Sequence, residues 1–102
     1  PEKELPFLEI EKRLKQLEGN YESYRGIRRL SVVRKGPMLY LEEKTKFTEM
    51  SVPLIPENEK VKRLKFYIYS GVGVKMPVEF VIDSKGKIDL YMERWRLHKV
   101  KG

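Results

Sequence analysis

After Gly19 the chain consists of short runs separated by turns, and within these runs apolar side chains tend to recur at every second position, as at Leu64, Phe66 and Ile68, which is the spacing of a β-strand with one buried face. No segment after Gly19 has a helical period long enough for a crossover connection, so neighbouring strands must run antiparallel. The alternation breaks between Met92 and Trp95, and both residues can face one side only if the strand bulges or breaks there. Counted as two strands, this last run brings the total to about eight, at roughly ten residues for each strand and its turn.

An open meander of this length would expose two unpaired edges, whereas closure into a barrel removes them. We therefore predict a mainly β fold: an antiparallel meander barrel of about eight strands, preceded by one amphipathic helix, with an open sandwich as the alternative. A barrel of this size has an interior just large enough for its own side chains or for one small ligand. The residues predicted to fill it are Leu39, Leu41, Phe47, Phe66, Ile68, Phe80, Leu90 and Trp95.

The N-terminal segment has a different period. Its apolar residues lie three or four positions apart and form one stripe of a helix: Phe7, Ile10, Leu14 and Leu17. Pro6 suits the first helical turn, and Gly19 suits the position just after the end. The sequence thus divides into a linker over residues 1–6, a helix over residues 7–18 and a barrel over residues 19–102.

The residue content excludes several kinds of enzyme. The chain of 102 residues has no cysteine, which removes disulfide scaffolds, cysteine nucleophiles and cysteine-ligated metals. Its one histidine, His98, has no partner evident in the sequence and is interpreted as a surface residue. We predict no catalytic residue, no metal site and no cofactor. No run reaches the ~18 apolar residues of a membrane span, and the N-terminus lacks a signal-peptide pattern, so we expect a cytoplasmic protein.

Two short motifs have the spacing of catalytic elements. Ser84 and Lys87 match the S-x-x-K motif of β-lactamase-type enzymes, which requires a helix to bring serine and lysine together. Here the motif contains Gly86 and is predicted to form a hairpin turn. The segment from Tyr21 to Ser23 similarly matches a Y-x-S element, but it is predicted to lie in a strand. We interpret both motifs as structural.

The formal charge of +7 raises the possibility of nucleic-acid binding. Residues 1–19 carry five acids and four bases, so their net charge is −1 and the rest of the chain carries +8. In that remainder the acids are interspersed with the bases, whereas a phosphate-binding face needs clustered Lys and Arg. A solvated charged surface is the favoured interpretation, and a basic nucleic-acid-binding barrel stays open as an alternative.

The alternation that places apolar residues inside the barrel places four tyrosines outside it: Tyr40, Tyr67, Tyr69 and Tyr91. Strand propensity and cross-strand packing are sufficient to explain them. They could equally form an aromatic contact surface for another domain or subunit, because tyrosine is enriched at interface hot spots. We therefore select these four residues as candidate partner-binding residues.

The order of several short segments resembles a known family. Residues 17–26 are similar to the L-x-G-x-Y-x-x-Y-x-G opening of the C-terminal domain of CubicO-like serine peptidases, relatives of penicillin-binding proteins and class C β-lactamases. Further similar segments follow in order over residues 32–36, 39–41, 52–56, 78–80 and 91–97. The similarity as a whole covers roughly residues 5–100.

This resemblance implies a lipocalin-like barrel that serves as an accessory to a serine hydrolase. In that family the catalytic serine and lysine belong to a separate N-terminal domain, and the barrel takes part in subunit assembly and can screen the active site. We therefore expect a non-catalytic interaction barrel whose partners are its own catalytic domain, identical subunits, or both. A lipocalin-like binder of a small apolar ligand is the alternative.

Overall fold

The computed structural model describes residues 5–57 and 64–100, with helix side chains from residue 11 onward. Within these residues, one helix precedes eight strands, and a 3₁₀ turn over Tyr24–Gly26 follows the first strand. The helix, α1, spans Leu5–Leu17, so it begins two residues earlier than the sequence predicted, and residues 1–4 of the predicted linker lie outside the described residues. The strands are β1 Gly19–Glu22, β2 Arg29–Lys35, β3 Met38–Lys44, β4 Glu49–Pro56, β5 Lys65–Tyr69, β6 Lys75–Ile82, β7 Ile88–Met92 and β8 Trp95–Val100.

The strands close into a barrel in chain order. Each strand pairs antiparallel with the next, and β8 pairs back with β1, where Tyr21 lies opposite Lys99. The predicted break after Met92 is a two-residue hairpin turn, because Met92 lies directly opposite Trp95 across the β7–β8 pair. The closed eight-stranded antiparallel barrel is therefore confirmed, and the open sandwich is excluded.

Antiparallel order gives the barrel two distinct ends. Connections alternate between the ends, and α1 enters at one of them, here called the helix end. The connections after β1, β3, β5 and β7 all lie at the opposite end. We call this the loop end and define it by residues 23–28, 45–48, 70–74 and 93–94.

The interior of the barrel is filled by apolar side chains from all eight strands. The predicted interior residues that are buried there are Leu39, Leu41, Phe66, Ile68, Phe80 and Leu90. Trp95 is partly buried and packs against the same cluster. The ring of Phe80 lies edge-on to Tyr21 and Phe66, with ring centroids 5.8 and 5.6 Å apart, so these three aromatic residues pack together in the core.

The predicted interior position of Phe47 is wrong. The side chain is 93% exposed, and β4 begins two residues later, at Glu49. The hydroxyl oxygen of Thr45 accepts hydrogen bonds from the backbone N–H groups of Phe47 (3.1 Å) and Thr48 (2.9 Å). The Thr45 N–H also donates to the Thr48 carbonyl at 2.7 Å. This local turn replaces strand pairing and directs Phe47 into solvent.

The helix is joined to the barrel through its last turn. Leu17 is fully buried and Leu14 packs against the core. The hydroxyl of Tyr21, the first core residue of β1, donates a 2.7 Å hydrogen bond to the Leu17 carbonyl. That carbonyl has no partner within a helix that ends there, so Tyr21 satisfies a group that would otherwise be buried without one.

Two charged side chains complete this attachment. Lys99 of β8 donates to the Gln16 carbonyl at 2.6 Å, which places a cation at the negative end of the helix dipole. Arg34 of β2 forms an ion pair with Glu11 at 2.7 Å. At the junction, Gly19 has φ +143°, and a Cβ there would lie 2.7 Å from the Lys99 side chain. The chain therefore turns from helix to barrel at a position that suits glycine.

Candidate interaction surfaces

The S-x-x-K motif lies in the turn between β6 and β7. The Asp83 carboxylate accepts hydrogen bonds from the backbone N–H groups of Lys85 (2.8 Å) and Lys87 (2.9 Å). Ser84 and Lys87 are exposed on this turn, and Gly86 has φ +83°. The motif is thus a hairpin turn held by an aspartate, as the sequence predicted.

The Y-x-S segment also has a structural explanation. Tyr21 is completely buried, and this burial raises the pKa of its hydroxyl. The hydroxyl of Tyr21 therefore stays protonated and donates its hydrogen bond to the Leu17 carbonyl at the end of α1. The Ser23 hydroxyl accepts a 2.8 Å hydrogen bond from the Arg28 N–H and thereby closes the β1–β2 loop.

His98 has a partner that the sequence did not reveal. Its Nδ1 lies 2.6 Å from a carboxylate oxygen of Asp89, which faces it across the β7–β8 pair. The Arg96 guanidinium donates to the other Asp89 oxygen at 2.9 and 3.2 Å. Partial burial acts to raise the pKa of Asp89, but the hydrogen bonds from His98 and Arg96 outweigh it and hold that pKa below its usual value. Knowledge of the strand register would have revealed this contact, because the two residues are paired partners.

The Asp89 cluster predicts a pH dependence of stability. The pKa of Asp89 is lower in the folded chain than the usual 3.8, so its ionised form stabilises the fold above that value, and this contribution is lost as pH falls through the folded pKa. We expect the wild type to exceed an Asp89→Asn variant in free energy of unfolding at about pH 5, with the difference shrinking by about pH 2. Urea titrations across this range measure the difference. A difference that stays constant would contradict the assignment.

All four selected tyrosines lie on the outer surface of the barrel. Tyr40 on β3 and Tyr67 on β5 are partly buried, whereas Tyr69 and Tyr91 are 49% and 38% exposed. Tyr67 and Tyr69 pack edge-on, with their ring centroids 5.6 Å apart. Tyr91 lies two strands away on β7, and β4 separates Tyr40 from β5. We call Tyr67, Tyr69 and Tyr91 the tyrosine face.

Several of these rings already have partners within the chain. Three cations lie close to the ring centroids: Lys35 at 4.7 Å from Tyr40, Lys75 at 4.2 Å from Tyr67 and Arg96 at 5.8 Å from Tyr91. Cation–π contacts of this kind are consistent with ordinary packing on an exposed sheet. Tyr69 is the most exposed of the four, with Tyr67 as its ring neighbour.

The loop end carries a second set of exposed apolar side chains, which the sequence analysis missed. Each is at least 57% exposed: Tyr24, Ile27, Phe47, Val72 and Val74. They come from three different loops that the antiparallel topology brings to the same end of the barrel. Exposed apolar side chains that share one surface are typical of a contact site, whereas scattered ones are not.

A hydroxyl side chain organises each of these three loops. Ser23 and Thr45 accept backbone N–H groups in the first two, as described above. In the third, the Ser70 hydroxyl accepts from the Val74 N–H at 3.2 Å, and the Ser70 N–H donates to the Val74 carbonyl at 2.9 Å. The apolar side chains therefore extend from loops whose backbone is already hydrogen-bonded.

An ion pair joins the first loop to the barrel wall. The Arg28 guanidinium makes two hydrogen bonds to the Glu43 carboxylate, at 3.0 and 3.1 Å, and lies 5.1 Å from the Trp95 ring centroid. The two charged side chains are only 22% and 13% exposed. Arg28 thus connects the loop after β1 to β3 and β8 at the rim of the loop end.

Two open clefts, of about 400 and 500 Å³, lie at the helix end beside the last turn of α1, and both include Gly19 in their lining. The barrel interior itself is occupied by the core side chains. Within residues 5–57 and 64–100, no group of three or more histidine, aspartate or glutamate side chains could hold a metal ion. Over the same residues, no helix has the length and apolar character needed to cross a membrane.

Comparison with known proteins provides a family and one structural relative. Residues 1–98 match the family model described as the Pab87 octamerisation domain. The chain is also similar to the octameric penicillin-binding protein homologue from Pyrococcus abyssi, with a TM-score of 0.78 and 40% identity over 97% of this chain. It spans 22% of that protein's length. No curated protein matches the chain. With 98 of its 102 residues matched, the chain belongs to the Pab87 octamerisation domain family.

Proposed function

We propose that this chain is a non-catalytic assembly domain that holds identical subunits of a longer protein together in an octamer. Its membership of an octamerisation domain family carries this proposal. The 40% identity to part of an octameric protein supports it, because most soluble oligomers are built from identical subunits. Light scattering or native mass spectrometry of the chain would test it, since a chain that stays monomeric at every accessible concentration would contradict a role in assembly.

We also propose that the longer protein is a serine hydrolase related to penicillin-binding proteins, as the CubicO-like motifs indicate. Its catalytic serine and lysine would then lie outside this chain, which has the length of one barrel and its helix. The 22% coverage of the P. abyssi protein is consistent with such a division of labour. Control of access to the active site and a cytoplasmic location are further predictions of this hypothesis.

The tyrosine face is one proposed contact between subunits. We expect a Tyr67→Ser/Tyr69→Ser/Tyr91→Ser variant to assemble into smaller species than the wild type, because serine removes most of the apolar area that these rings would bury. The matched control is Tyr67→Phe/Tyr69→Phe/Tyr91→Phe, which keeps the rings and should keep the assembly. Light scattering at several concentrations measures both. Equal masses for the serine variant and the wild type would argue against this face.

The two alternative functions, binding of a small apolar ligand and binding of nucleic acid, have less support. A ligand inside the barrel would have to displace core side chains such as Leu41, Phe80 and Leu90, which are at most 2% exposed. A nucleic-acid surface would need free clustered cations, whereas Arg28 and Arg34 are paired with carboxylates and Lys75 lies over a tyrosine ring. Assembly is therefore the better-supported function, because it alone has the family match behind it.

A further inference from the structure

The loop end has the properties of a preorganised docking surface. Its five exposed apolar side chains come from loops held by Ser23, Thr45 and Ser70, and its rim is fastened by the Arg28–Glu43 pair. Loops that are already ordered lose less conformational freedom when a partner binds. These side chains therefore offer apolar area at low ordering cost, and Tyr69 and Tyr91 of the tyrosine face lie close to the same end of the barrel.

The charge of the loop end selects the kind of partner. With Arg28 neutralised by Glu43, the remaining charged residues of the loop end are Arg25, Lys46 and Arg94 against Glu93, a formal net charge of +2. Two loop ends placed together would bring these like charges face to face, which is unfavourable. The complementary partner is therefore acidic as well as apolar.

The chain itself contains a segment of that composition. Residues 1–10 carry three glutamates against one lysine, a formal net charge of −2, and they include four large apolar residues: Leu5, Phe7, Leu8 and Ile10. Helix α1 begins in this segment, at Leu5, and enters the barrel at the end opposite the loops.

We propose that the loop end of one copy binds residues 1–10 of a second copy. This inference rests on the proposed assembly function and assigns a surface and an occupant to it. Because α1 joins the barrel at the end opposite the loops, the proposed contact is head-to-tail between copies and is repeated until a ring closes. If two such rings stack into an octamer with dihedral symmetry, a second, self-complementary contact must join the rings. The tyrosine face is a candidate for that second contact.

Charge reversal tests the pairing directly. A Lys46→Glu/Arg94→Glu variant changes the loop-end charge from +2 to −2, and a Glu4→Lys/Glu9→Lys variant changes the charge of residues 1–10 from −2 to +2. Each variant alone then brings like charges together at every head-to-tail contact. We expect the concentration needed for half-assembly to rise about tenfold or more for each variant, as measured by light scattering at low salt.

Mixing the two variants gives the decisive result. In an equimolar mixture, an acidic loop end meets a basic segment and a basic loop end meets an acidic segment, so assembly should return as alternating complexes in native mass spectra. Lys85→Glu/Lys87→Glu makes the same charge change on the β6–β7 turn at the helix end and should leave assembly unchanged. A Glu4→Lys/Glu9→Lys variant that assembles like the wild type, or a mixture that is not rescued, would overturn the proposal.

A cross-link provides an independent measurement, because the native chain has no cysteine. Copies carrying Phe47→Cys are mixed with copies carrying Leu8→Cys and treated with a short bismaleimide. We expect a heterodimeric product, and far less of it when Lys85→Cys replaces Phe47→Cys. Equal yields from the two pairs would contradict the proposed contact.

The outcomes separate this inference from the function on which it rests. A wild-type chain that is monomeric throughout would overturn both. A wild-type chain that assembles, together with charge-reversal variants that assemble equally well, would overturn the loop-end contact alone and leave the assembly role in place.

Discussion

A Phe80→Ala variant should unfold with a free energy about 3–5 kcal/mol lower than that of the wild type, which is the usual cost of removing a buried phenylalanine. Phe80 is 2% exposed on β6, and its ring is in edge-on contact with both Tyr21 and Phe66. The substitution therefore removes apolar burial and two aromatic contacts, and it leaves a cavity that neighbouring strands cannot easily fill. Urea or guanidinium titration monitored by circular dichroism measures the loss.

The effect should extend to the helix, because one of the two rings that pack on Phe80 belongs to Tyr21. The Tyr21 hydroxyl bonds to the Leu17 carbonyl, so a cavity beside Tyr21 loosens the group that satisfies the helix end. We expect faster amide hydrogen exchange in the last turn of α1 for Phe80→Ala than for the wild type.

The matched control for this substitution is the next residue along β6. Val81 points out of the barrel and is 44% exposed, so Val81→Ala should cost less than about 1 kcal/mol. If Phe80→Ala cost no more than Val81→Ala, the aromatic centre would not be the stabilising feature that the packing indicates.

The alternation of residues predicted the barrel well because that pattern depends directly on burial. Leu39 and Leu41 lie two residues apart in β3 and both face the core, as do Phe66 and Ile68 in β5. A slip of one residue in either strand would turn its apolar side chains to the solvent, so the pattern is informative about register as well as strand content.

The prediction failed where local hydrogen bonding competes with hydrophobicity. Phe47 is apolar and precedes a strand, yet the Thr45 hydroxyl captures its backbone N–H and turns the side chain outward. Turn formation by threonine is only weakly encoded in sequence, since serine and threonine hydroxyls form such turns less strongly than asparagine or aspartate.

The candidate surfaces required the topology as well as the pattern. His98 and Asp89 become neighbours only through the β7–β8 register. The loop end is a similar case, because Tyr24, Phe47 and Val72 lie far apart in the chain and come to the same end of the barrel only through the strand order. In an antiparallel meander, the connections after every second strand lie at the same end of the sheet. The exposed apolar side chains of the loop end could therefore have been inferred from the predicted strands if Phe47 had been assigned to a loop.

A double-mutant cycle on Arg28 and Glu43 should reveal a strong coupling at the rim of the loop end. Replacing either residue alone, as Arg28→Met or Glu43→Leu, leaves its partner's charge largely shielded from water without a counter-ion. We expect each single substitution to lower the free energy of unfolding by about 2–3 kcal/mol, less than for a fully buried pair because some exposure remains. The double variant should lose less than the sum, with a coupling of about 1–2 kcal/mol.

The control for this cycle is the exposed pair of Arg29 and Glu22, whose charged atoms are 3.7 Å apart and whose side chains are 74% and 37% exposed. Its coupling should be below about 0.5 kcal/mol and should vanish in high salt, whereas the Arg28–Glu43 coupling should largely survive. Similar couplings in the two cycles would mean that the rim pair is an ordinary surface contact.

A strong, salt-resistant coupling would mean that Arg28 holds the β1–β2 loop in place. Tyr24 and Ile27 would then be held in position to contact a partner. In that case the Arg28→Met and Glu43→Leu variants should each assemble less well than other variants with the same free energy of unfolding.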